Sequence, residues 1–105
     1  WLYDNEKPGR SNWLHPLARE RWNAYVAKVV DAMGPGVKLY APQNEPNGQI
    51  TTAYLVGQWP PAMSLEIGHY KKAIEASAGM FRDAAAIVRK KNPEAKILSV
   101  EALPW

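Results

Sequence analysis

Residues 37–47 have the sequence VKLYAPQNEPN, and this stretch decides how the rest of the chain is interpreted. It begins with β-branched and aromatic residues, which favour an extended strand. It then turns polar at Gln43, Asn44 and Glu45, and Pro46 follows directly. Functional side chains of parallel α/β folds are concentrated where strands end. We therefore predict a strand that ends in an amide and a carboxylate with a chemical role.

A helix is predicted before this strand. Pro16 suits the first turn of a helix, and apolar residues then recur at three- and four-residue steps as far as Met33. The members of this stripe are Trp22, Val26, Val29, Val30 and Met33. Residues 34–36, Gly-Pro-Gly, are expected to end the helix.

A loop, a second helix and a second strand are predicted after it. Residues 47–63 lack periodicity and are expected to form a long loop. A helix over residues 64–91 is predicted, with Ser64 as its N-cap, and residues 95–102 are predicted to form the second strand. The expected buried stripe of the helix is Ile67, Tyr70, Ile74, Ser77, Phe81, Ala84 (or Ala85) and Val88.

The order helix, strand, loop, helix, strand is typical of an α/β unit with parallel strands. Two parallel strands and one crossover helix do not cover both faces of a sheet. A complete (β/α)8 barrel needs about 250 residues, and this chain has 105. We predict an α/β fold in which residues 1–105 form one incomplete domain, a segment of a (β/α)8 barrel. A small α/β domain is the other interpretation.

Composition narrows the classes of function. The net charge of +3 is too small to argue for binding to nucleic acid or to an acidic membrane surface, and there is no apolar run of membrane-spanning length. The absence of cysteine excludes a disulfide framework and a cysteine nucleophile. His15 and His69 have no companions at ligand spacing, so neither a metal site nor a cofactor is predicted.

Several stretches resemble glycoside hydrolase family 1, the β-glucosidase family. Residues 1–4 are similar to the segment after that family's third strand, and residues 9–14 (GRSNWL) are similar to a Gly-Gly-Trp-Leu stretch before a helix. Residues 37–46 are similar to the fourth strand with its Asn-Glu-Pro motif. Residues 53–61 (AYLVGQWPP) are similar to a Gly-Tyr-x-x-Gly-x-x-Pro-Pro loop. Residues 96–100 are similar to the fifth strand.

The resemblance implies a retaining β-glycosidase that hydrolyses terminal β-linked sugars by double displacement. Such enzymes use two carboxyl groups about 5–5.5 Å apart. The resemblance assigns the general acid/base to Glu45 and a hydrogen bond to the sugar 2-hydroxyl to Asn44. It places the nucleophile outside this chain. The implied partner is a carbohydrate of the β-glucoside type.

Three further residues are candidates near the site. Trp59 is predicted to stack on a sugar ring, with packing inside its own loop as an equal alternative. Gln43 is predicted to contact the substrate, or else to fill an interior layer. Glu101 ends the second strand, but a carboxylate at the rim of the site explains it better than the role of nucleophile.

Two alternative functions remain open. The sequence Pro-Gln-Asn-Glu-Pro also resembles glycoside hydrolase family 30. An enzyme of that kind would act on different glycans. Outside the enzymes, the chain would be an inactive fragment or an assembly module. Its unpaired strand edges would then associate with the remaining barrel segments or with a second copy. We predict that the 105-residue chain alone does not turn over a glycoside, because one carboxylate supplies only half of the double displacement.

Overall fold

The structure is a computed structural model and describes Lys7 and residues 10–102. The similarities noted for residues 1–4 and Gly9 therefore lie outside the described residues. Within the described part of the chain, no helix is both long enough and apolar enough to cross a membrane. In chain order the structure contains a 3-10 helix (Asn12–Leu14), α1 (Ala18–Met33), a 3-10 helix (Gly34–Gly36), β1 (Leu39–Tyr40), α2 (Pro46–Tyr54), α3 (Ile67–Lys91) and β2 (Lys96–Ile97).

Helix α1 confirms the first predicted helix and the residue that ends it. Its stripe buries Val26 and Val30, whereas Met33, which was predicted to belong to the stripe, is exposed. Gly34 follows the helix with a φ of 64°, and its N–H donates to the carbonyl of Val30. Glycine adopts this positive φ easily because it has no Cβ, so it ends the helix as predicted.

Helix α3 has 25 residues and packs along α1. Its buried face consists mainly of small side chains. The buried residues are Ala73, Ser77, Gly79, Met80, Ala84, Ala85 and Val88. The predicted cap at Ser64 is wrong, because Leu65 has a φ of 56° and the helix begins only at Ile67. The indole Nε1 of Trp22 on α1 donates to the carbonyl of Met80 over 2.9 Å and ties the two helices together.

The two strands pair in parallel with Leu39 opposite Lys96 and Tyr40 opposite Ile97. One face of this pair is covered, because Tyr40 and Ile97 pack against the buried cluster that α1 and α3 share. That cluster contains Val26, Val30, Ala84 and Val88. The side chain of Leu39 keeps 54% of its area exposed, so the opposite face of the sheet is open.

The predicted (β/α)8 barrel segment is wrong. Helices of 16, 9 and 25 residues dominate the described chain, while each strand holds two residues and the sheet has two strands. The strand predicted to run on to Glu45 stops early because residue 42 is proline. In the register shown, residue 42 would donate its N–H to the carbonyl of Leu98, and proline has no N–H. Pairing returns only as one parallel bridge between Asn44 and Val100.

Helix α2 occupies the first half of the predicted loop, and the prediction of a loop there was also wrong. Its sequence, PNGQITTAY, contains glycine and two threonines, which are poor helix formers. Burial stabilises it: Ile50 and Tyr54 are fully buried and pack with Ala73 of α3 in a second apolar cluster. A Cβ on Gly48 would lie 3.1 Å from the Cβ of Ala102, so the glycine allows α2 to approach the segment that follows β2 closely.

Candidate functional site

Glu45 lies where the chain leaves the sheet and enters α2, and its backbone is held on both sides. Its N–H donates to the carbonyl of Val100 over 2.8 Å, and its carbonyl accepts from the N–H of Gln49 over 3.0 Å. The backbone is left-handed, with φ 47° and ψ 48°. For a residue that has a Cβ, the left-handed conformation is about 1–2 kcal/mol higher in energy than the right-handed one. This strained residue carries the predicted acid, and three other non-glycine residues of the described chain also have a positive φ.

The carboxylate of Glu45 is exposed and forms no hydrogen bond or ion pair with any described residue. An acidic N-cap normally accepts from the backbone N–H groups of the first helical turn, yet this side chain does not cap α2. The backbone of Glu45 is therefore fixed, while the oxygen atoms of its carboxylate remain available to a ligand.

Asn44 precedes Glu45 and is exposed as well. Its backbone carbonyl accepts from Nε2 of Gln49 over 2.7 Å, while its side-chain amide makes no hydrogen bond with the described residues. The backbone bridge to Val100 fixes the position of this residue. Two adjacent residues thus carry a free amide and a free carboxylate, and both residues are exposed.

Gln43, the third polar residue of this stretch, is buried and directed at α3. Its Nε2 donates to the carbonyl of Ser77 over 3.2 Å, and its Oε1 accepts from Oγ of Ser77 over 2.9 Å. Gln43 also lines a cavity of about 330 Å³. A ligand in that cavity would have to compete with Ser77 for the amide, so its predicted substrate contact stays a prediction.

Glu101 was predicted to end the second strand, but β2 ends at Ile97 and Glu101 lies four residues further along the chain. The structure brings Glu101 to the wall of that 330 Å³ cavity, with Arg82 and Asn47. Its Oε1 accepts from Oγ of Ser99 over 2.7 Å. The pairing of Asn44 with Val100 therefore places the segments that carry Glu45 and Glu101 next to each other.

Asn47 has a role that the sequence did not reveal. Its Nδ2 donates to the carbonyl of Ala102 over 2.6 Å, and its Oδ1 accepts from the N–H of Ala102 over 2.9 Å. These two bonds fasten the first turn of α2 to the segment that follows β2, and so support the position of Glu45. The sequence shows an asparagine directly after a proline that starts a helix, which is the only local indication of such a role. Nothing in the sequence indicated that its partner lies 55 residues away.

Trp59 lies on a different cavity from Glu45. The indole is 52% exposed and lines a space of about 530 Å³, together with Trp13, Trp22 and Tyr25. Neither Asn44 nor Glu45 lines this space, although Gln49, one helical turn after Glu45, does. The predicted stacking of Trp59 on a sugar at the acid is untested, and the structure gives this side chain other aromatic neighbours.

One ion pair has two parallel hydrogen bonds, and neither of its residues lines the two cavities described above. Arg19 donates from Nε and Nη2 to the two carboxylate oxygens of Asp83, at 2.6 and 2.7 Å, and Nδ2 of Asn23 donates over 3.0 Å. The hydrogen bonds from Arg19 and Asn23 lower the pKa of Asp83 to about 2. This pair joins α1 to α3 and has a structural role.

The described histidines and acidic residues form no cluster suited to a metal ion. In the described chain, no group of three or more His, Cys, Asp or Glu side chains is arranged to hold a metal ion. His15 accepts from the N–H of Leu17 through Nδ1, and His69 pairs with Glu66.

Comparisons with protein-family models, with curated proteins and with solved structures found no match to this chain. The similarity to glycoside hydrolases therefore rests on the residues quoted above.

Proposed function

We propose that this chain carries the acid/base portion of a retaining β-glycosidase, with Glu45 as the proton donor to the glycosidic oxygen. One observation carries the proposal. Glu45 is held in a strained left-handed backbone by two main-chain hydrogen bonds, and yet its exposed carboxylate has no partner among the described residues. Strain of this kind is concentrated at functional sites.

Asn44 and Glu45 have the chemistry that the reaction needs. The carboxylic acid donates its proton as the glycosidic bond breaks, and as a carboxylate it later removes a proton from water. The free amide of Asn44 is proposed to hydrogen-bond the 2-hydroxyl of the sugar, a contact that strengthens toward the oxocarbenium-like transition state. Terminal β-linked glucose is the proposed sugar, as in the β-glucosidase family that the Asn-Glu-Pro stretch resembles.

The nucleophile is not assigned to this chain. Glu101 is the nearest carboxylate along the paired segments, but Ser99 already donates to it and it lies on the cavity that Gln43 lines. We therefore expect the chain to lack the residue that attacks the anomeric carbon. Without a nucleophile, the acid alone does not complete a double displacement.

Supplying an external nucleophile tests this proposal. We would incubate the 105-residue chain with phenyl β-glucoside, whose poor leaving group needs an acid, with and without sodium azide. Azide should attack the anomeric carbon from the face opposite the leaving phenol, while Glu45 protonates the phenolic oxygen. The expected products are phenol and α-glucosyl azide, with little turnover when azide is absent.

The variant Glu45→Gln should abolish this reaction, whereas Glu75→Gln, which changes an exposed glutamate on α3, should not. A reaction that is equally fast in Glu45→Gln would contradict the role of Glu45. Turnover without azide, combined with β-glucosyl azide from Glu45→Ala, would instead show that the chain contains its own nucleophile, and Glu101→Gln would then be the next variant to examine.

A further inference from the structure

We propose that the 530 Å³ cavity beside α1 is a binding site for a planar aromatic carboxylate, separate from the site at Glu45. Its volume lies in the range of small-molecule sites, which is about 300–1,000 Å³. Three indoles, those of Trp13, Trp22 and Trp59, line it together with the phenol ring of Tyr25.

Two of the four aromatic side chains are exposed in the free chain, while Trp13 and Trp22 are half-buried. Trp59 keeps 52% and Tyr25 keeps 62% of their area accessible. Large aromatic side chains that converge on one concave surface and remain uncovered are typical of ligand sites. A flat ring between these side chains would cover the exposed faces and gain stacking contacts.

Two hydrogen bonds hold these walls in place. Nε1 of Trp22 donates to the carbonyl of Met80, which fixes the plane of its indole. Nδ2 of Asn12 donates to the carbonyl of Pro60 over 2.5 Å and ties the loop that carries Trp59 to the segment that carries Trp13. A site whose walls are already held loses little conformational entropy when a ligand binds.

Charge determines which aromatic ligand fits. Arg21 is the one charged residue among those that line this cavity, and no acidic residue lines it. Arg21 forms no ion pair with a described residue, whereas Arg19 is paired with Asp83. A guanidinium binds a carboxylate through two parallel N–H donors. A ligand that combines an aromatic ring with a carboxylate would therefore stack on the aromatic side chains and pair with Arg21.

The test uses 2-naphthoate as the probe and 2-naphthamide as its neutral counterpart of the same shape. Binding to the whole chain is followed by the indole N–H signals in NMR and by calorimetry. Naphthoate should shift the signals of Trp13, Trp22 and Trp59 and bind up to about fivefold more tightly than the amide, because an ion pair to an exposed guanidinium contributes up to about 1 kcal/mol.

Two variants that each remove one positive charge distinguish binding at this site from a general attraction of the anion to a basic protein. Arg21→Gln should remove the preference for naphthoate over the amide, while Arg89→Gln, at the far end of α3, should keep it. Trp59→Ala should weaken both ligands. The proposal is overturned if naphthoate does not bind at millimolar concentration, if the amide binds equally well, or if Arg21→Gln and Arg89→Gln behave alike.

Discussion

Two regions of the molecule differ in how their polar groups are satisfied. We call them the helical layer, formed by α1 and α3, and the acid edge, formed by residues 43–49. In the helical layer small side chains interdigitate, and Asp83 is held by both Arg19 and Asn23. At the acid edge the backbone is strained, and the two residues at its tip leave their side chains unpaired. The comparison indicates that stability resides in the first region, and we propose a role in chemistry only for the second, because free polar groups are what a substrate needs.

The largest expected effect comes from breaking the helical layer. Ala84 is fully buried and Ala86, two residues further along the same helix, is exposed. Ala84→Glu should lower the free energy of unfolding by about 3–5 kcal/mol, because it buries an unpaired charge. Ala86→Glu should change it by less than about 0.5 kcal/mol. Urea denaturation followed by circular dichroism measures both, and equal effects would refute the assignment of the core.

A smaller effect is expected where the two regions are joined by Gln43 and Ser77. Gln43→Met should cost about 1–3 kcal/mol, because it leaves the hydroxyl of Ser77 buried without its acceptor. The double variant with Ser77→Ala should recover part of this loss. Gln58→Met, at an exposed position, is the matched control. Strict additivity of the two single changes in urea denaturation would show that the pair is not coupled.

At the acid edge we expect a gain in stability. Glu45→Gly should raise the free energy of unfolding by up to about 1 kcal/mol, because glycine relieves the cost of a positive φ. Glu45→Ala removes the same carboxylate but keeps a Cβ, and it should leave the stability nearly unchanged. A loss of stability in both variants would mean that the carboxylate stabilises the fold, contrary to its lack of partners.

The smallest effect concerns pH and belongs to the helical layer. The pKa of Asp83 is lowered to about 2 in the folded chain, from an ordinary value of 3.8. The folded state thus favours the ionised carboxylate, so this stabilisation is complete above about pH 4 and is lost as the pH falls toward 2. Urea denaturation at pH 6, 4 and 2.5 should show the difference between the natural chain and Asp83→Asn shrinking over that interval. A difference that is independent of pH would contradict the pairing.

The sequence predicted the helical layer better than it predicted the sheet. Helices α1 and α3 have long apolar stripes, and their observed starts lie within three residues of the predicted ones. Helix α2 was missed because its composition favours other structures and its stability comes from burying Ile50 and Tyr54. The predicted barrel failed because Pro42 interrupts the ladder and the described sheet contains only two short strands.

The candidate site was predictable only in part. The change from apolar to polar residues located Asn44 and Glu45, and both are exposed at the end of the paired segments. The hydrogen bonds of Gln43 with Ser77 and of Asn47 with Ala102 join residues 34 and 55 positions apart. Such contacts depend on tertiary packing, and no local pattern predicts them. The aromatic cavity likewise combines Trp13 and Trp59 from separate segments.

The most direct measurement of the central claim is a carbohydrate titration of the chain labelled with ¹³C at its glutamate carboxyl groups and ¹⁵N at its asparagine amides. The probe is cellobiose, which is β-linked, and maltose is the α-linked control. We predict that cellobiose shifts the Glu45 carboxyl and Asn44 amide signals more than any others, that maltose has a much smaller effect, and that Glu45→Gln weakens binding. Unchanged signals from Asn44 and Glu45 at saturating cellobiose would contradict the assignment of the acid edge as a glycoside site.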